Sequence, residues 1–493
     1  MNPLKKLAGQ TAIYGLSTIL PRFLNYLLTP LLTYIFDKPV DFGVNTEIYA
    51  YISFINIIFT YGMETAFFNF ASKAENKNTV YSTALISILA STASLSLILF
   101  IFSGKLAALT NYSDHLNFII WSILIVGTDA LMAIPFARLR LNNNAKKFAI
   151  IKMANVFLNV FLNVFYFIIC KNAYEANLAT GEESFFASLY NPEIGIGYSF
   201  LANLIANLVS LLLLAKEFTG FEYKFDKVLW KKMLLYALPL LIVGLAGMVN
   251  ETFDRIILKY LLPENVGLHE IGVYGACYKI SILMTIFIQA FRYAAEPFFF
   301  NNENNTDSKK MNALVMKYFV IGCSLIFLGT MMNLSWIQKF VSEPYRVGIH
   351  VVPILLLANL FLGIYYNLSI WYKLTGQTKF GALITIVGAA VTLVINFIFI
   401  PKYHYTASAW ATLLSYGVMM IISYFLGKKF YPVKYNLKNI FFFFSIALLF
   451  YFISLSYKGS VSTTVELIIN NIFVLLYCFI FYKFELPNLK KAK

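Results

Sequence analysis

Apolar residues run in stretches of about twenty or more along the whole chain, separated by short polar turns. Fourteen such segments are legible, at 10–35, 43–70, 80–103, 115–137, 147–170, 192–216, 233–262, 270–300, 311–333, 346–372, 380–400, 406–427, 439–457 and 461–482. A helix rising 1.5 Å per residue needs roughly 20 residues to cross a hydrocarbon core of about 30 Å. The pattern therefore predicts an all-α membrane protein of about fourteen spanning helices. Pro21 in the first segment and Pro239 in the seventh are expected kink sites.

Inside several segments polar residues recur every three or four positions, which places each set on one helix face. The first segment carries Thr18, Arg22, Asn25, Thr29 and Thr33, and the fifth carries Asn155, Asn159 and Asn163. Asn203, Asn207 and Ser210 follow in the sixth, and Ser281, Thr285, Gln289, Arg292 and Glu296 in the eighth. Such faces either line a hydrated cavity or hydrogen-bond neighbouring helices.

Charge sharpens the choice. The hairpin from Lys232 to Phe300 holds Glu251, Asp254, Arg255, Lys279, Arg292 and Glu296. Glu64 and Asp129 lie within the second and fourth segments. Ionisable groups are costly in lipid, so they face water, a ligand or each other. The candidate substrate-binding cations are Arg22, Arg255, Lys279 and Arg292, because arginine in particular suits phosphate through its planar fork of donors. Glu64, Asp129, Glu251, Asp254 and Glu296 are candidates for binding a coupling ion or for balancing those cations. Asn25, Asn155, Asn159 and Gln289 are candidate polar positions of the cavity wall.

Composition agrees with a membrane chain: 59% of residues are hydrophobic and 13% charged, with a mean hydropathy of +0.69, where a soluble domain carries about 25% charge. The net charge of +15 is spread over short loops, which excludes a nucleic-acid-binding domain. With a cytoplasmic N-terminus, alternate loops hold 25 Lys and Arg on the inner side against 7 on the outer. That bias predicts an even helix count and both termini in the cytoplasm, and contact between the inner loops and anionic membrane lipids. Cys170, Cys277, Cys323 and Cys478 lack CxxC spacing and are expected to be buried apolar residues. No GxSxG, P-loop or HExxH motif is present, so no catalytic residue, cofactor or metal is expected. The first two segments and the seventh and eighth are weakly alike. Each pair runs from a proline-containing span through a charged turn to a glycine, Gly43 or Gly272, and into a second span. This is the pattern of a transporter built from repeats.

The stretches NETFDRIILKYLLP and IGVYGACYK in the seventh and eighth segments carry a resemblance. So do GQTAIYGLSTILPRFLNYLLTPLLTYIF, FGVNTEIYAY and YGMETAFFNFASK near the N-terminus. The chain resembles the polysaccharide-biosynthesis branch of the multidrug/oligosaccharidyl-lipid/polysaccharide (MOP) exporter superfamily. The resemblance implies a V-shaped bundle like that of MATE transporters. An N-terminal lobe would occupy 1–216, a cytoplasmic linker 217–232, a C-terminal lobe 233–427, and two additional helices 428–493. It also implies a flippase in the bacterial cytoplasmic (inner) membrane. The cargo would be an undecaprenyl-diphosphate-linked oligosaccharide for O-antigen, capsule or another surface polysaccharide, moved by alternating access. Na+ or H+ would serve as coupling ion, and a polysaccharide polymerase and glycosyltransferases would be pathway partners. A cation-coupled drug antiporter and a lipid II flippase share the superfamily and are the alternatives. A membrane glycan polymerase or ligase fits less well, because no large outer loop exists to carry its chemistry.

Overall fold

The computed structural model describes residues 19–21, 23–181, 184–219, 221–301 and 308–485, apart from the side chains of 264, 265, 294, 296–298, 300 and 301. These residues are helical almost throughout, with no strand among them. Helix α1 covers Leu28–Ile35. α2 runs Pro39–Thr60 and resumes at Met63–Ala71. The break falls at Tyr61 and Gly62, both left-handed, a conformation that suits glycine and strains tyrosine.

α3 spans Lys77–Ile101 and α4 Leu116–Leu141. α5 starts at Ala145–Val164, loosens into a π turn at Phe165–Cys170 and continues through Lys171–Thr180. α6 spans Tyr198–Leu213, α7 Lys227–Leu261 and α8 Glu264–Asn301. α9 covers Ser308–Met332 and α10 Val352–Leu368. The helical run Thr378–Phe430 is interrupted by non-helical backbone at His404, so it is counted as α11 and α12. α13 spans Leu437–Tyr457 and α14 Thr463–Phe484.

Twelve helical stretches among the described residues are long and apolar enough to cross a membrane. One of them is the broken α11–α12 run, and the first segment, described only from residue 19, is not among the twelve. Counting the two halves of that run separately gives thirteen among the described residues, close to the expected count of about fourteen. α7 passes through Pro239 as one helix; Arg22 lies outside the described residues.

Two compact units partition the chain, Met1–Gly272 and Val273–Lys493. In unit 1 a core of Met63, Phe67, Tyr81, Ile134 and Ala237 joins α2, α3, α4 and α7. In unit 2 Phe443, Ala447 and Tyr477 seat α13 and α14 against Ile321 and Leu328 of α9. A buried pair adds to that seating: the Lys317 ammonium donates to Glu485 at 2.5 Å, and Asn439 donates to the other carboxylate oxygen at 3.0 Å.

Gly43 and Gly272 meet. A Cβ on Gly43 would lie 2.0 Å from the Leu268 carbonyl oxygen, and one on Gly272 would lie 1.8 Å from that of Pro39. Each glycine thus packs on the carbonyl four residues before the other. This reciprocity is a local two-fold arrangement, and it joins the two positions that mark the start of matching spans in the sequence. Only glycine lets two helix backbones come this close.

Candidate functional site

The asparagine faces of unit 1 turn toward one another. Asn155 of α5 donates to Asn207 Oδ1 and to Ser210 Oγ of α6, each at 3.0 Å. Asn207 in turn donates to Asp129 Oδ1 of α4 at 2.9 Å. Asn163 donates to Asn159 Oδ1 at 3.1 Å, and Asn159 reaches Asn25 Oδ1 at 3.5 Å. Asn203 donates to the Tyr49 hydroxyl at 2.8 Å. The spacing at i, i+4 and i+8 makes this possible, because it stacks the amides along the seam where α5 and α6 pack. Most of these amides bind helix to helix.

Asp129 is the carboxylate at the head of this chain of amides. Lys152 of α5 acts on it electrostatically and rests its ammonium 4.3 Å from the Phe136 ring centroid. Lys152 was not singled out from the sequence, although it stands three residues before Asn155 and extends the face of Asn155, Asn159 and Asn163 by one turn. Glu64 pairs with Arg140 of α4, whose guanidinium also lies 4.9 Å from the Phe68 ring. Arg140 therefore does more than set topology.

On α7, Asp254 is 4% exposed while Glu251 is open and Arg255 half-buried. The Arg255 backbone N–H donates to Asp254 Oδ1 at 2.8 Å, and its guanidinium donates to the Glu251 carbonyl oxygen at 3.2 Å. The i, i+3, i+4 spacing thus gathers these three on one face. In unit 2, Lys279 and Gln289 are half-buried on α8. The Arg292 guanidinium stacks 4.6 Å from the Tyr366 ring, an arrangement that keeps its charge while shielding one face. The Glu296 side chain lies outside the described residues. Three of the cysteines are buried as expected, whereas Cys478 is exposed on α14.

Two of the most buried charges are ones that sequence reasoning did not single out. Lys259, counted there among the outer-loop lysines, belongs to the last turn of α7. Its ammonium donates to Glu47 Oε2 of α2 at 2.9 Å and to the Thr110 carbonyl oxygen at 2.6 Å. The Tyr112 hydroxyl donates to the same carboxylate oxygen at 2.5 Å, and its ring lies 4.1 Å from the ammonium. Side-chain exposure of the pair is 4% for Lys259 and 0% for Glu47. Burial, and after it the Glu47 charge, pushes the Tyr112 phenol well above its ordinary pKa, so it stays a donor. One turn on, the Tyr51 and Tyr260 hydroxyls meet at 2.7 Å. This cluster ties α2, α7 and the turn before α4 together at the end of unit 1 where Gly43 meets Gly272. A hint was present: Glu47 and Tyr51 are four apart, and so are Asn45 and Tyr49 on the neighbouring face.

Known proteins match this arrangement at two levels. The family model described as "Polysaccharide biosynthesis protein" matches residues 7–303. No curated protein matches the sequence. Among solved structures, lipid II flippase MurJ in an inward closed conformation superposes with a TM-score of 0.70 at 15% identity, covering 96% of this chain and 99% of that one. An inward-facing multidrug-resistance MATE-family transporter of the MOP superfamily gives 0.61 at 13% identity, with 85% and 94% covered. The MATE multidrug transporter DinF-BH, solved as a complex with a bound compound, gives 0.59 at 16%, with 90% and 97% covered. These solved structures share the fold, and the family match over residues 7–303 establishes that this chain belongs to the polysaccharide biosynthesis protein family.

Proposed function

We propose that the protein is a flippase that moves a polyprenyl-diphosphate-linked oligosaccharide from the inner to the outer leaflet of the bacterial cytoplasmic membrane by alternating access. The observation that carries this reading is the family match on a chain whose spans retain Arg255 beside Asp254, and Lys279 and Arg292, as polar groups in apolar helices. Diphosphate is the cargo group that most directly repays keeping a guanidinium in a membrane span. In this proposal both termini are cytoplasmic, and Arg22, Arg255, Lys279 and Arg292 contact the diphosphate during passage. Asp129, reached by Asn207 and Lys152, takes up the coupling Na+ or H+. Lobes at 1–216 and 233–427 would move as the transport elements, with 428–493 as an added pair of helices. A polymerase and glycosyltransferases would act after and before the flip.

Losing one charge-assisted hydrogen bond costs about 1.5–3 kcal/mol, which is about tenfold or more in binding. Arg255→Ala and Arg22→Ala are therefore expected to lower surface glycan by about tenfold or more at unchanged protein level, with the lipid-linked intermediate building up in the inner leaflet. Normal export from both variants would remove these residues from the cargo path.

The MurJ superposition favours lipid II as a second reading of the cargo. The two are separated by asking which lipid-linked intermediate accumulates when the protein is depleted. An accumulation of lipid II alone would replace the oligosaccharide reading.

A further inference from the structure

Unit 2 contains an apolar groove of about 220 Å³ framed by α9, α10, α12 and α13. Its floor is Met316, Val320 and Leu360, each at most 4% exposed, and its mouth is open at Phe425 and Phe441, 63% and 60% exposed. Within the lining, Tyr424 and Tyr435 bring the only side-chain hydroxyls, with ring centroids 6.2 Å apart. The lining sits in the first halves of α9 and α13 and in the second halves of α10 and α12. The groove therefore opens at one end of these helices, the end that carries the basic loops with Lys309, Lys310, Lys428, Lys429, Lys434 and Lys438.

Lysines flank the groove at the end where Tyr435 and Leu437 line it. Lys434 and Lys438 are exposed and flank the lining residues Tyr435 and Leu437. The Lys309 ammonium lies 5.0 Å from the ring of Tyr431, in the loop between α12 and α13. Lys438 also stands in the first turn of α13, which has no acidic residue. A cation there opposes the helix dipole, and a phosphate would relieve that opposition. The nearby Glu485 is buried, and its oxygens already accept from Lys317, Tyr318 and Asn439.

We propose that this groove is a resident site for one anionic phospholipid, with an acyl chain in the groove and the phosphate at Lys434 and Lys438. A cavity walled by Leu, Ile and Phe stays dry and accepts apolar matter, as apolar cavities of about 150 Å³ do. Basic clusters beside spanning helices recognise anionic headgroups. The transported glycan is a poorer occupant, because sugars need hydrogen-bonding walls and this groove offers two tyrosines. The proposal stands apart from the identity of the cargo.

The test uses the full-length purified protein and native mass spectrometry of retained lipid from an equal mixture of dioleoylphosphatidylglycerol and dioleoylphosphatidylcholine. Two lysines at the headgroup imply an enrichment of phosphatidylglycerol of about tenfold or more. Lys434→Gln with Lys438→Gln is expected to remove the preference. Ile364→Trp, which fills the groove from a half-buried wall position, is expected to remove the bound lipid while leaving the lysines intact. Thermal unfolding of each variant confirms that it is folded, and a groove-filling Ile364→Phe replaces the tryptophan should that variant fail. Equal retention of the two lipids overturns the site. A preference that survives groove filling assigns it to surface charge and overturns the groove. Displacement by undecaprenyl phosphate at equal concentration, with phosphatidylglycerol unable to compete back, overturns the resident-lipid assignment in favour of cargo.

Discussion

Replacing Lys259 by Met is expected to destabilise the protein by about 3–5 kcal/mol, the cost of leaving one member of a buried ion pair without its partner. The Glu47 carboxylate is fully buried and would lose its ammonium, keeping the Tyr112 hydroxyl as a donor. The Thr110 carbonyl would lose its donor as well. Thermal unfolding in detergent should show a clear fall in Tm for Lys259→Met and a similar fall for Glu47→Leu. The double variant is expected to recover most of the loss, because a buried pair exchanged for apolar side chains of similar volume is often neutral or better. Tyr112→Phe should cost less, about 1–2 kcal/mol, since it removes one hydrogen bond and keeps the ring over the ammonium. Additive losses in the double variant would show that the two side chains stabilise the fold separately rather than as a pair.

Gly272→Val is expected to prevent normal assembly of unit 1. Its Cβ would fall 1.8 Å from the Pro39 carbonyl oxygen, where real Cβ atoms essentially never come under 3.0 Å. The obstacle is backbone in a helix, so no side-chain rotation relieves it, and the hairpin turns of α2 and α8 must part by more than 1 Å. Gly43→Val meets the Leu268 carbonyl in the same way. Both variants should lose the monodisperse peak in size-exclusion chromatography, or survive only with a much lowered Tm. Gly329→Ala in α9, where a Cβ meets no described atom within 4 Å, is the control. It should be neutral or gain up to about 1 kcal/mol from helix propensity. A normal Tm for Gly272→Val would mean that the crossing is not tight in the membrane.

The membrane class, the helical bundle and its approximate span count were legible in the hydrophobic pattern, because spanning a bilayer constrains length and composition segment by segment. The break between the eleventh and twelfth segments was legible too, as the polar PKYHY stretch, and it is non-helical at His404. Periodicity grouped Asn155, Asn159 and Asn163 on one face, and grouped Glu251, Asp254 and Arg255 on another, since both are properties of a single helix. What periodicity could not do was choose partners. Asn155 bonds Asn207, which is 52 positions away, and Glu47 bonds Lys259, which is 212 positions away. Nothing local distinguishes Lys259 from any other lysine near a helix end. Its burial depends on a carboxylate, a carbonyl and a ring brought from other places in the chain.

Gly43 and Gly272 show where the two levels meet. Sequence alone marked them as equivalent positions, each following a charged turn and opening a span. Their role was decided in three dimensions, where each removes the Cβ that would strike the other hairpin's carbonyl. The sequence by itself thus determined which segments enter lipid and which face of each is polar, because those follow from transfer free energy and the 3.6-residue period. Only the tertiary structure decided which polar groups are spent on holding helices together and which stay open. That choice rests on long-range distances and on the burial of charge, and neither is written in the neighbourhood of any one residue.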